Sequence, residues 1–423
     1  MSHEETTTAV VPGVLPSGSP VAQEPPPTSR SLAPDLARGM LLLLIALANV
    51  WGYLWSDAGY NEAGGRPVGG SALDHLVDGV LTLLVDSHTK PMFAILYGFG
   101  LATMATRLTA RGADRAAVRG VLGRRSLGLI VLGLLHAALL YGGDILAPYG
   151  AAGLVALLFL HRGRAALAWW FGVAYAVSMT VGAIVLLAPP GAGGGDGAAG
   201  EQTTTYLSSA LDRLAGTAAV TSLYTLTLMF VPHLVVGILL ARAGWLMRPV
   251  EHRRRLGEVA VAATALSLLG SLPYALAVGQ VWRPSHTQLA VAELVHHVSG
   301  DVMGLGYVCL FGWLAAVWGG RARRGVASAV AAVGERSLTC YLLQSVLFAP
   351  LLSDWGLGWG GRLSTTQAAL LAVVVWLVTV AVAIALRRTG RRGPFEVALR
   401  RLAYGRSRTP VRRTHAPGLR STS

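Results

Sequence analysis

The amino-acid sequence predicts an all-α fold: a polytopic integral membrane helix bundle of about ten transmembrane helices, with both termini in the cytoplasm. Three observations carry this expectation. Residues of the AVILMFWYC set make up 53% of the 423 positions and charged residues only 13%, with a mean hydropathy of +0.53. The apolar positions fall in runs that approach the roughly 20 residues a bilayer crossing needs. The basic residues fall in alternate connections between those runs.

The apolar runs lie at about 36–55, 88–106, 126–142, 144–160, 166–188, 222–241, 257–279, 297–319, 337–353 and 366–386. Threading them from a cytoplasmic N-terminus puts 30 of the 35 Lys and Arg residues on the inner side. Only Arg66, Lys90, Arg213, Arg283 and Arg362 remain outside. The net charge of +14 is therefore a topology signal that faces anionic lipid, and the lipid bilayer is the expected partner. A soluble protein of this charge would suggest nucleic acid, but the segregation argues against a nucleic-acid partner. The setting it implies is a cell membrane crossed many times.

Residues 1–33 are rich in Pro, Ser, Thr and Glu and read as a disordered cytoplasmic tail, without the basic start and short apolar core of a cleavable signal. Residues 34–405 form the transmembrane domain, and 406–423 read as a basic, disordered cytoplasmic tail. Two outer segments are long, 56–87 and 189–221. The second contains APPGAGGGDGAAG and reads as a flexible loop. In the first, Asp74, Asp78, Thr82 and Asp86 recur every four residues, which predicts an interfacial or re-entrant helix. Its polar stripe is either a solvated face or the lining of a cavity. Cys309 and Cys340 both fall in apolar runs, with no CxxC pair, and read as small buried hydrophobes.

Ionisable groups in hydrocarbon cost several kcal/mol unless paired or wet, so they are the best clues to function. Asp35 and Arg38, three apart at the start of the first helix, are placed to pair locally, and Asn49 lies near mid-bilayer where it would bond a neighbouring helix. Asp86, His88 and Lys90 stand within five positions at the outer mouth of the second helix, as an acid–base group or as headgroup contacts. His136 and Asp144 are eight apart, which puts a carboxylate on the imidazole's helical face if the Gly142–Gly143 break does not rotate it. His233 follows Pro232 in another apolar run and reads as a lone intramembrane histidine. Glu293, His297 and Asp301 share a face at spacing four, as a relay, a substrate contact or structural polarity, with no zinc-site spacing such as HExxH and hence no metal expected. Gln344 is a further polar residue of the interior.

Five motifs occur in order: DLARG with Asn49 ten residues beyond its glycine, PMFAILYGFG, GLLHAALLYGGDILAPYG, GERSLTCYLLQSVL and RRGPFEVALRRLAYG. Together they resemble the YeiB-like family of uncharacterised bacterial membrane proteins over about residues 30–405. The chain is more distantly similar to membrane acyltransferases of the heparan-glucosaminide N-acetyltransferase type. The shared positions are Asp35, Arg38, Gly39, Asn49, Pro91, Phe93 and Gly98. That resemblance implies transfer of an acyl group from cytoplasmic acyl-CoA, taken as a substrate and not as a bound cofactor, to an acceptor across the membrane. The catalytic histidine of those enzymes precedes the Pro-x-Phe motif in a His-x-x-Trp-x-Gly context. Here His75 is nearest, without the tryptophan and about two positions off, and His88 stands too close to the proline.

Three functions follow as expectations. The first is an acyltransferase-like enzyme with His75, His88 or His136 as general base and Asp86 or Asp144 orienting it. The second is a small-molecule transporter using His and Asp as a proton relay. The third is a non-catalytic membrane partner. Neither the acceptor nor the oligomeric state is legible.

Overall fold

A computed structural model describes residues 31–188, 205–319 and 325–405. Residues 1–30, 189–204, 320–324 and 406–423 lie outside the described residues, so the readings made for them are not addressed. Within the described residues the structure is helical, with one isolated bridge between Tyr60 and Pro67.

Pro34 stands in the first turn of α1 (Ala33–Val50), where its missing N–H costs nothing, and Asp35 favours the positive helix end. A 3-10 turn, Trp51–Tyr53, extends α1. Then α2 (Ala72–Leu84) opens on a capping box made by Ser71 and Asp74. It leads into α3 (Thr89–Thr109) through a break at which Ser87 takes φ 60°. The two helices together form one apolar stretch, Ala72–Thr109. The expected interfacial helix is thus the upper part of a long span.

Next, α4 (Arg115–Leu139) and α5 (Leu146–Ala156) form a hairpin. The lipid-facing α6 (Arg164–Leu187) follows, with only 11% of its most apolar window buried. The pair α7 (Tyr206–Leu226) and α8 (Val231–Ala243) is bent by 66°. Because α7 begins at Tyr206, the latter part of the outer segment 189–221 is helix, while the APPGAGGGDGAAG stretch beyond Ala188 lies outside the described residues. A second hairpin is made by α9 (Arg253–Val278) and α10 (His286–Trp318). The pair α11 (Gly325–Glu335) and α12 (Ser337–Leu352) is bent by 87°. Last come α13 (Thr365–Arg388) and the short α14 (Pro394–Tyr404).

Seven described helices are long and apolar enough to cross a membrane, or nine if each bent pair counts as one span. The α5 helix, too short for that count, completes the ten runs read from sequence. The outer faces of α6, α9 and α13 expose Ile184, Leu269 and Leu370, which fits a lipid solvent. Inside, helices approach closely where side chains vanish. A Cβ on Gly237 of α8 would run into the backbone oxygen of Ile95 on α3, and one on Gly98 into that of Leu234.

Candidate functional site: a carboxylate-oriented imidazole in the helix core

His136 lies in the last turn of α4 and is 4% exposed. Its Nδ1 is 2.8 Å from Asp144 Oδ1. The geometry differs from a shared helical face. The α4 helix ends at Leu139, and the chain turns back so that Asp144 reaches the ring from the connection to α5. The carboxylate is itself held. Its Oδ2 accepts from the Ala147 backbone N–H at 2.9 Å, inside the first turn of α5. The Tyr341 hydroxyl of α12 donates to Oδ1 at 3.5 Å and accepts from the Ile145 N–H. Gly133, one turn before His136, leaves the room this needs, since a Cβ there would collide with Asp144 Oδ2 and Ala147 N. An ionised Asp144 fixes the proton on Nδ1, and the lone pair then sits on Nε2. That Nε2 is buried and, among the described residues, has no hydrogen-bond partner.

Around it, Tyr141 stacks on Tyr53 at 4.5 Å and donates to the backbone oxygen of Asn49. Among the described residues the Asn49 side-chain amide has no partner, so the expected interhelix bond is made by its main chain. Gln344 donates to Leu42 O at 3.0 Å and ties α12 to α1. Asp35 and Arg38 form the local pair at 3.5 Å.

The other candidates stand apart from this couple. Asp86, His88 and Lys90 diverge. Asp86 pairs with Arg66 at 2.7 Å, His88 Nε2 lies 2.8 Å from Ser267 Oγ, and the exposed Lys90 sits over the Tyr224 ring at 5.8 Å. The stripe of α2 faces inward instead of to solvent: Asp74, Asp78 and Thr82 are all buried. Asp78 takes the other arm of Arg66 at 3.2 Å, and Arg66 stacks on Trp51 at 4.2 Å. His75 is half-buried on α2 and makes no hydrogen bond among the described residues. Glu293, His297 and Asp301 do not share a partner. His297 Nδ1 donates back to the Glu293 carbonyl, while Asp301 pairs with His233 across α8 and α10 at 2.9 Å. His296, which the spacing argument left aside, is buried beside His88 with ring centres 5.7 Å apart. Its Nδ1 contacts Ser271, which contacts Ser299.

On the arginine-rich side, Arg242 donates to the carbonyls of Leu160 and Arg162 and closes the end of the α4–α5 hairpin. His161, in the connection to α6, is held below its usual pKa by burial first and then by Arg115, Arg242 and Arg119. A strong positive field thus gathers at this rim.

These features define a multi-pass helical membrane protein with a buried His–Asp couple. A family model described as a protein of unknown function, DUF418, matches residues 240–406. The chain is 26% identical to the uncharacterized protein YeiB of Escherichia coli (strain K12), over 88% of this chain and 96% of the relative. It is 22% identical to the uncharacterized protein YxaH of Bacillus subtilis (strain 168), over 88% of this chain and 93% of the relative. Over most of its length the chain is thus similar to YeiB-like proteins, and its C-terminal part matches the DUF418 family model.

Proposed function

We propose that the chain is an acyltransferase-like enzyme of a bacterial inner membrane, with both termini cytoplasmic and His136 as general base. The observation that carries the reading is the 2.8 Å His136–Asp144 bond, which leaves Nε2 buried and unpartnered. In this reading Nε2 takes the proton of an acceptor hydroxyl or amine as it attacks the carbonyl of an acyl-CoA thioester. The new bond to the acyl carbon forms, the C–S bond breaks, and the imidazolium returns the proton to the leaving thiolate. Asp144 holds the tautomer throughout and is not itself protonated. The resemblance carried by Asp35, Arg38, Gly39, Asn49, Pro91, Phe93 and Gly98 supports the same reaction class.

Membranes containing the wild type, His136→Ala or Asp144→Asn, supplied with labelled acyl-CoA, test the reading. Transfer should fall by about 10²–10⁴-fold in both variants, with unchanged protein levels. No transfer by the wild type, or full transfer by His136→Ala, would overturn it. A second reading, a proton-coupled transporter, is favoured by the separate His233–Asp301 couple, whose side chains are 11% and 19% exposed. Uptake into vesicles driven by a pH gradient, lost on His233→Ala and kept on His136→Ala, would select it instead.

A further inference from the structure

A groove of about 730 Å³ runs between the first turns of α9 and the last turns of α10. It lies on the outer surface of these two helices, far along the chain from the His136 couple. Val261 on its wall is 72% exposed, and Leu310 and Trp313 form the rest of the apolar floor. Gly257 keeps the floor open, since a Cβ there would stand 3.1 Å from the Trp313 ring. The rim toward the arginine-rich side is charged, with Arg253 and Arg254 against Glu251 and Glu258. Glu258 pairs with Arg254 at 2.7 Å, and Glu251 with Arg248 at 2.9 Å. Among the described residues Arg253 makes no ion pair.

An apolar floor open to lipid, below a rim carrying both signs, matches one class of molecule. We propose that this groove binds a glycerophospholipid whose head carries a phosphodiester and a primary ammonium, of the phosphatidylethanolamine type. The phosphodiester meets Arg253, the rim arginine that makes no ion pair among the described residues. The ammonium has N–H donors for the Glu251 and Glu258 carboxylates, which a choline head lacks. The first methylenes of an acyl chain cover Val261, Leu310 and Trp313. Each carboxylate is bridged to an arginine through one oxygen, which leaves its other oxygen for the ammonium, and a head without an ammonium, such as phosphatidylglycerol, offers those oxygens no charged donor.

Trp313 is a built-in reporter. The full chain, delipidated in detergent, is titrated with phosphatidylethanolamine bearing brominated acyl chains, and its tryptophan quenching is compared with that of Trp313→Phe. The difference between the two reports the groove despite the 11 tryptophans of the chain. Saturable quenching that Trp313→Phe loses is expected, weakened about fivefold in apparent affinity by Arg253→Ala. Val261→Phe, a filler at an exposed position, should block it. Brominated phosphatidylcholine and phosphatidylglycerol should bind more weakly. The proposal is overturned by equal quenching in Trp313→Phe, by indifference to Arg253→Ala, or by no preference among the three heads. It is also overturned if size-exclusion light scattering shows a dimer that Val261→Phe breaks, which would make the groove an interface between two copies.

Discussion

Replacing Arg66 by methionine should unlock the outer end of the bundle. Its guanidinium is buried, with 2% side-chain exposure, and bonds Asp78 at 3.2 Å and Asp86 at 2.7 Å, themselves 6% and 19% exposed. The segment that delivers it is pinned by the Asn61 N–H bonding Arg66 O and by Tyr274, whose hydroxyl accepts from the Gly64 N–H. Methionine keeps much of the aliphatic stem and removes the charge, leaving two carboxylates in a poorly hydrated site. Breaking a buried ion pair from one side costs about 3–5 kcal/mol, mostly the penalty of the stranded partner. The same change made in an Asp78→Asn/Asp86→Asn background strands no charge, so it should cost less by about 1–3 kcal/mol. The assay is a double-mutant cycle by denaturant unfolding in detergent, with limited proteolysis of residues 56–71 alongside. Arg66→Met alone should expose that segment to protease. Costs that add across the cycle to within about 0.5 kcal/mol would refute the claim that these three residues act as a unit.

Two further predictions concern the scaffold. Glu396 of α14 accepts from the Leu338 and Thr339 N–H groups and the Thr339 hydroxyl, and so caps α12 from outside. Glu396→Ala should cost about 2 kcal/mol and speed proteolysis between Arg391 and Glu396, whereas Glu396→Gln should recover part of the loss. Gly237→Ala should force α8 off α3 and give aggregated protein by size exclusion. By contrast Gly172→Ala, where a Cβ meets nothing within 4 Å, should leave the melting temperature unchanged or slightly raised.

The helices were legible because apolar run length is a direct consequence of bilayer thickness, and the Arg38–Asp35 pair because helical spacing fixes it. The His136–Asp144 contact was legible as a pair but not as geometry: the turn at Gly142–Gly143 carries the carboxylate back to the ring, and a helical wheel has no such turn. Arg66 was counted as one stray outer charge, since nothing local shows that its segment folds back onto α2. The partners of His88 and His296 were hidden for another reason. Ser267, Ser271 and Ser299 are small neutral residues inside apolar runs and barely disturb hydropathy. The His233–Asp301 bond joins residues 68 apart on different helices, and only the packing of α8 beside α10 brings them together.

Among the described residues, four core imidazoles have one ring nitrogen bonded and the other buried without a partner: His88 Nδ1, His136 Nε2, His233 Nδ1 and His296 Nε2. Each such atom costs about 1–3 kcal/mol in an apolar core unless something meets it. The four are not equivalent. His88 bonds a serine hydroxyl that donates or accepts equally well, so its tautomer is not imposed; His296 donates from Nδ1 to Ser271, whose proton goes to Ser299 and the Ser299 proton to the His296 carbonyl, so its tautomer is set, but by neutral hydroxyls and not by a carboxylate. His233 bonds a carboxylate that is 19% exposed and has no second anchor among the described residues. His136 alone bonds a carboxylate fixed by both a backbone N–H and a tyrosine hydroxyl. Its unpartnered nitrogen is therefore held as an acceptor, in a fixed direction, before any substrate arrives. In the proposed reading, that preorganisation is what a general base requires, and the His136 couple on the α4–α5 hairpin has it where the groups at the outer mouth of α3 do not.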